Sequence, residues 1–201
     1  PGTGKRRTGK RLLAVGTDAS CGKMFTAFAI VHEMKNRGIP VDFRATGQTG
    51  IYLTGEGVIL DAVTADCLTG AVEWLSPDNS ADHWDIIEGQ GALSHPALGP
   101  VAEGLLLGSQ PDALIICHDP AREHMRGYPH MTVPTLEGCF GANQAIARRT
   151  NPDAKVVGIS VNTKNLEGDK KGYLQELEET LGLPCIDPLI TGVGPIVDQL
   201  V

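Results

Sequence analysis

Short apolar runs alternate with stretches of helical spacing along the whole chain. Residues 12–15, 41–45, 84–88, 114–117 and 156–161, with a weaker run at 185–186, are rich in β-branched, aliphatic or aromatic side chains and predict strands. Between them, residues 24–36, 62–75, 136–149 and 174–181 place apolar side chains at helical spacing. Asn36-Arg37-Gly38-Ile39-Pro40 reads as a helix stop followed by an extended residue before proline. Such alternation predicts an α/β fold, a mainly parallel sheet with helices on both faces. Two long loops, 46–57 and 89–99, follow predicted strands. In open α/β sheets ligands bind at the carboxyl ends of strands, so these loops are expected to form substrate walls.

The first predicted strand runs into a glycine-bounded loop, Gly16-Thr17-Asp18-Ala19-Ser20-Cys21-Gly22-Lys23, and then into the first helix. Backbone N–H groups of such a loop converge on phosphate oxygens, the helix adds its positive N-terminal end, and Lys23 supplies a point charge. The loop is one residue longer than the commonest P-loop spacing. The position after the lysine, where a hydroxyl normally ligates Mg²⁺, is Met24. A shorter match, Gly4 to Lys10, has neither a strand before it nor a helix after it. Residues 1–10 are therefore expected to be a basic linker and residues 11–201 a P-loop NTPase-like domain.

A length of 201 residues suits one domain with a sizeable core. The net charge of −7 argues against a nucleic-acid partner, although five Lys or Arg fall within the first eleven residues. Five cysteines, with no C-x-x-C pair, predict free thiols in a reducing cytoplasm. No run reaches the about 18 to 20 apolar residues of a membrane span, and no signal peptide opens the sequence. A cytoplasmic protein acting on a small molecule is expected, with no membrane partner and as a homo-oligomer.

Three further features carry candidate chemistry. The run His83-Trp84-Asp85-Ile86-Ile87-Glu88 is an apolar strand ending in an acid; Glu88 would face bound phosphates and handle protons or water-held metal, or else cap a helix. His118, His124 and His130 recur every six residues, a spacing that scatters them around a helix, and Pro129 interrupts it, so no metal site is expected. His118, at a strand end, remains a candidate for catalysis. Arg122 and Arg126 stand where a carboxylate substrate needs donors, or are surface charge. Cys21, at a helix N-terminus beside Lys23, is either a nucleophile or a small loop residue.

Gly16-Thr17-Asp18 through Gly22-Lys23, followed by Glu88-Gly89-Gln90-Gly91, resembles the dethiobiotin synthetase branch of P-loop proteins. With Met24, Ala45-Thr46-Gly47-Gln48-Thr49-Gly50, Glu88-Gly89-Gln90-Gly91-Ala92-Leu93-Ser94-His95-Pro96 and Gly108-Ser109-Gln110-Pro111-Asp112-Ala113, the chain more closely resembles the D-glutamate N-acetyltransferase family. That resemblance implies acetyl transfer from acetyl-CoA, as co-substrate, to the amine of D-glutamate in D-amino-acid catabolism. It also implies an N-terminal Rossmann-like domain that this sequence lacks, so the chain looks like the C-terminal part of a longer protein. On this reading the loop from Gly16 to Met24 holds the CoA phosphates without requiring Mg²⁺, and Asn162 touches the base. Glu88 or His118 acts as general base, and Lys23 or loop N–H groups stabilise the oxyanion. Arg44, Arg122 or Arg126 grips the carboxylates, while Gln48, Thr49, Gln90 and His95 belong to the substrate walls.

Two alternatives stand beside it. An ATP- and Mg²⁺-dependent ligase resembling dethiobiotin synthetase would place Asp18 and Glu88 around the metal. Met24 counts against it, and Thr26, two residues on, is poorly placed to substitute. A nucleotide-binding regulatory protein without chemistry would bind tightly and not turn over.

Overall fold

The computed structural model describes all residues from Pro1 to Val201. Its centre is a parallel sheet of six strands: β1 (Lys10–Gly16), β2 (Val41–Arg44), β3 (Trp84–Ile87), β4 (Ala113–His118), β7 (Lys155–Val161) and β8 (Cys185–Ile186), in the order β2-β3-β1-β4-β7-β8. A separate antiparallel hairpin is built from β5 (His124–Met125) and β6 (Tyr128–Thr132). The expected α/β fold is thereby observed, with strand bounds moved by at most two residues at either end.

The period of two along β1 explains why the sheet is covered twice. Leu12 and Ala14 face a core shared with Ile86, Ile115 and Val157, which packs on α1 (Lys23–Asn36) and α7 (Gly194–Val197). Leu13 and Val15 face the other core, with Ile87, Leu114 and Ile116, beneath α3 (Leu68–Leu75), α4 (Gly99–Ser109), α5 (Leu136–Ala147) and α6 (Lys170–Leu181). The helix α6 starts a turn before the expected residue 174 because the Asp169 carboxylate accepts from the Lys171 and Gly172 amides and caps it.

Three segments differ from expectation. Within the loop 46–57 lies α2 (Gln48–Thr54), and beyond the loop 89–99 lies α4, a helix that the sequence pattern did not predict. The helix expected over 62–75 is two 3₁₀ turns, Leu60–Ala62 and Ala65–Cys67, followed by α3. In residues 1–10, expected to be a basic linker, Lys10 begins β1 and Arg7 is buried. The Arg7 guanidinium donates to the carbonyls of Glu73 at 3.1 Å, Ser76 at 2.6 Å and Gly108 at 2.5 Å, which are the open carbonyls at the ends of α3 and α4. Burial, and then the nearby Arg11, lower the Arg7 pKa to about 10.

Candidate functional site

The carboxyl ends of β3, β1, β4 and β7 lie side by side, so Glu88, the loop from Gly16, His118 and Asn162 line one edge of the sheet in that order. The loop closes tightly. A Cβ on Gly16 would lie 2.5 Å from Sγ of Cys21, and Ser20 and Gly22 take left-handed φ values of 55° and 111°. Thr17 N–H bonds the Cys117 carbonyl, tying the loop to β4. Lys23 is buried, and its ammonium donates to the Asp18 carbonyl at 2.8 Å.

Glu88 approaches the lysine because the chain after it crosses the end of β1 closely. A Cβ on Gly89 would lie 1.6 Å from the Ala14 carbonyl oxygen and 3.0 Å from Cδ of Lys23, so only glycine fits. Oε2 of Glu88 accepts from the amides of Thr46 at 2.9 Å and Gly47 at 3.2 Å, while Thr46 Oγ1 donates to the Glu88 carbonyl at 2.7 Å. Burial raises the Glu88 pKa above the usual carboxylate range, and neither these amides nor Lys23 fully offsets it. Lys23, Met24, Glu88, Gly89 and Gln90 line one cleft of about 470 Å³. A second, of about 150 Å³, opens on the other side of the loop and is lined by Cys21, Thr26, Asn162, Asp187 and Pro188. Asn162 Oδ1 accepts from the Lys164 amide at 3.2 Å, leaving its NH₂ for a ligand.

Other candidate residues hold this frame. Arg122 donates to Asp18 at 2.8 Å and also to the Ala19 carbonyl. Arg126 sits in the hairpin turn; its amide donates to the same Asp18 oxygen at 2.8 Å and its guanidinium to Oγ of Ser20. Burial pushes the Asp18 pKa up, but Arg122 and the amides of Arg126 and Ala19 outweigh it and hold the carboxyl below its usual range. The Arg122 guanidinium is thus committed to the loop and is not a free grip for a substrate carboxylate. Arg44 is likewise committed, donating to Asp85 at 2.8 Å and Asp42 at 3.2 Å. His83 Nε2 lies 3.4 Å from the same Asp85 oxygen, so this acid and imidazole group is organised around a guanidinium.

His95 is also engaged by protein groups. Its Nδ1 accepts from the amides of Ala97 and Leu98 at the start of α4, which leaves the proton on Nε2 to donate to the Arg126 carbonyl at 3.1 Å. His118 Nδ1 meets Oγ1 of Thr17 at 3.1 Å, and burial lowers its pKa. It lines neither cleft, and stands on the opposite side of β1 from Glu88. The Cys21 thiol is 1% exposed and donates to the Asp18 carbonyl at 3.1 Å. Thr26 Oγ1 is 2.7 Å from Ser160 Oγ, turned away from the lysine. Gln48 and Thr49 are exposed in the first turn of α2, and Gln90 donates to Thr46 Oγ1 at 2.9 Å. Thr46, which holds Glu88 through two bonds, and Phe25, which lines both clefts, were not among the residues singled out from the sequence.

A parallel sheet whose first strand feeds a phosphate loop, with an acid at the end of the neighbouring strand, defines a P-loop protein. Residues 1–197 match the family described as "Domain of unknown function (DUF1611_C) P-loop domain", and the chain belongs to that family. It is 55% identical over 198 residues to a D-glutamate N-acetyltransferase of Tritonibacter scottomollicae, an alignment covering 98% of this chain and 60% of the relative. A protein of the same name from Pseudoalteromonas sp is 54% identical over 200 residues, covering 99% of this chain and 60% of the relative. The chain thus spans 60% of the length of these curated relatives. The crystal structure of a DUF1611 family protein from Anabaena variabilis superposes with a TM-score of 0.90 at 34% identity, over 100% of this chain and 59% of that one. A cobyrinic acid a,c-diamide synthase from Mycobacterium smegmatis with bound ADP and magnesium shares the fold at a TM-score of 0.55 and 13% identity, covering 95% and 92% of the two chains. No helix is long and apolar enough to cross a membrane.

Proposed function

We propose that this domain takes part in N-acetyl transfer from acetyl-CoA to the amine of D-glutamate. The observation that carries the reading is the joint lining of one cleft by Lys23, Glu88 and the thioether residue Met24. The names of the two relatives support the reaction and its acceptor. The loop amides and Lys23 bind the CoA phosphates, while the base enters the pocket beside Asn162. Met24 gives Mg²⁺ no inner-sphere hydroxyl, and Thr26 is bonded to Ser160 instead, so the donor is held without metal.

In the transfer, the ammonium of D-glutamate first loses a proton. Glu88 accepts it: its raised pKa makes it a better base than an ordinary carboxylate, and the Thr46 and Gly47 amides fix its orientation. The amine nitrogen attacks the thioester carbonyl, and N–H groups that line the same cleft away from the phosphates stabilise the oxyanion. Collapse breaks the C–S bond, and the CoA thiolate leaves with the second proton, which the attacking nitrogen sheds as the amide forms. Neither Arg122 nor Arg44 is available to the acceptor, so the exposed first turn of α2, with Gln48 and Thr49, and the Gln90 wall meet it. Release of free thiol from acetyl-CoA that depends on D-glutamate, with N-acetylglutamate identified by mass, tests the reading. D-glutamate-independent thiol release, or ADP formed from ATP with Mg²⁺, would replace it with a hydrolase or a ligase.

A further inference from the structure

Only two residues line both clefts: Gly22, in the phosphate loop, and Phe25, in the first turn of α1. The small pocket beside Asn162 has room for a flat base, and the larger cleft leads to Lys23 and Glu88. A ligand that occupies both must therefore cross the loop at Gly22 and pass the ring of Phe25. The buried face of α1 is formed by Thr26, Ala27, Ile30, Val31 and Met34, so the core does not need the Phe25 ring, and it is 48% exposed. A single exposed phenylalanine is ordinary. One that forms the ridge between two ligand clefts is placed to contact whatever joins their occupants.

We infer that Phe25 is a donor-specificity residue: its ring packs against the uncharged arm that runs from the phosphates to the thioester, and so favours an acyl thioester over a nucleoside triphosphate. This rests on the acetyl-CoA reading above. The chemistry of the ridge fits that arm, because beyond its pyrophosphate coenzyme A continues as a geminal dimethyl group and an amide chain, which an aromatic face covers well. A triphosphate continues as another highly solvated anion, which gains nothing from a phenyl ring. Met24, the next residue back in the same cleft, extends the apolar surface.

Binding of acetyl-CoA and of 3′-phosphoadenosine 5′-diphosphate, the nucleotide half of coenzyme A, separates the arm from the base and phosphates. Calorimetric titration of Phe25→Ala is expected to show acetyl-CoA affinity about tenfold weaker, with the nucleotide half changed less than about twofold. Phe25→Tyr keeps the ring and should keep both affinities. Phe25→Leu retains apolar contact and loses less than alanine, and serves in its place should the alanine variant not fold. Equal losses for both ligands would assign Phe25 to the base or phosphates, and no loss for either would remove its role; both overturn the inference while leaving the donor assignment intact. Failure of the unsubstituted protein to bind acetyl-CoA would instead overturn the donor assignment, and this inference with it.

Discussion

The guanidinium of Arg122 donates a 2.8 Å hydrogen bond to Oδ2 of Asp18, joining positions 104 residues apart and fixing the phosphate loop to the segment that follows β4. Asp18 is buried, so removing Arg122 leaves a carboxylate short of its main partner. Arg122→Ala is expected to cost about 2 kcal/mol, or about 4 to 8 °C in melting temperature. Because the folded pKa of Asp18 lies below its unfolded value, its contribution is present above the unfolded range and is lost as pH falls through the folded value. The gap between the two proteins should therefore narrow on acidification. A gap independent of pH between 7 and 3 would mean that Arg122 acts through packing alone.

Glu88→Gln separates function from stability. In its proposed role as general base, Glu88 should be worth about 10²-fold or more in kcat, with little effect on donor affinity. Its raised pKa means that the ionised form opposes folding: the contribution of Glu88 to stability is greatest below the unfolded glutamate range and declines as pH rises through the folded value. The glutamine variant should thus lose turnover yet melt higher than wild type at pH 8, with the advantage vanishing near pH 4. Wild-type turnover in Glu88→Gln would transfer the base role to His118, for which His118→Ala is the companion variant.

Arg7→Ala probes the N-terminal segment. Three carbonyls at the ends of α3 and α4 lose their donor, so a loss of about 2 to 3 kcal/mol is expected in denaturant melts, against nearly zero for the exposed Lys5→Ala. Equal, negligible effects would mean that Arg7 adds nothing to the stability of the domain.

The sheet and the phosphate loop were legible because β-rich runs and a glycine-bounded loop between strand and helix are local signals. The helices α2 and α4 were not, and their glycines explain it. Gly50 lies in α2 because a Cβ there would be 2.4 Å from Oε2 of Glu88, and Gly104 lies in α4 because a Cβ would be 2.1 Å from Cδ2 of Leu68. Each is a poor helix former retained for a close tertiary approach, which a local reading takes for loop. The partners of the arginines were hidden for a related reason. Arg44, Arg122 and Arg7 find their partners 41, 104 and 101 positions away, so the sequence marked them as cations without indicating that protein groups already hold them.

On the proposed reading, the loop from Gly16 to Lys23 holds acetyl-CoA phosphates without metal. A ligand that binds only the folded state stabilises it by about 2.7 kcal/mol at a hundredfold excess over Kd, which is a clear melting shift for a chain of this size. Melting curves with EDTA present should rise on adding acetyl-CoA, and Lys23→Ala should abolish most of that rise. ATP should raise them weakly, with little help from Mg²⁺. Greater stabilisation by ATP with Mg²⁺ than by acetyl-CoA would overturn metal-free thioester binding and favour an ATP-dependent ligase.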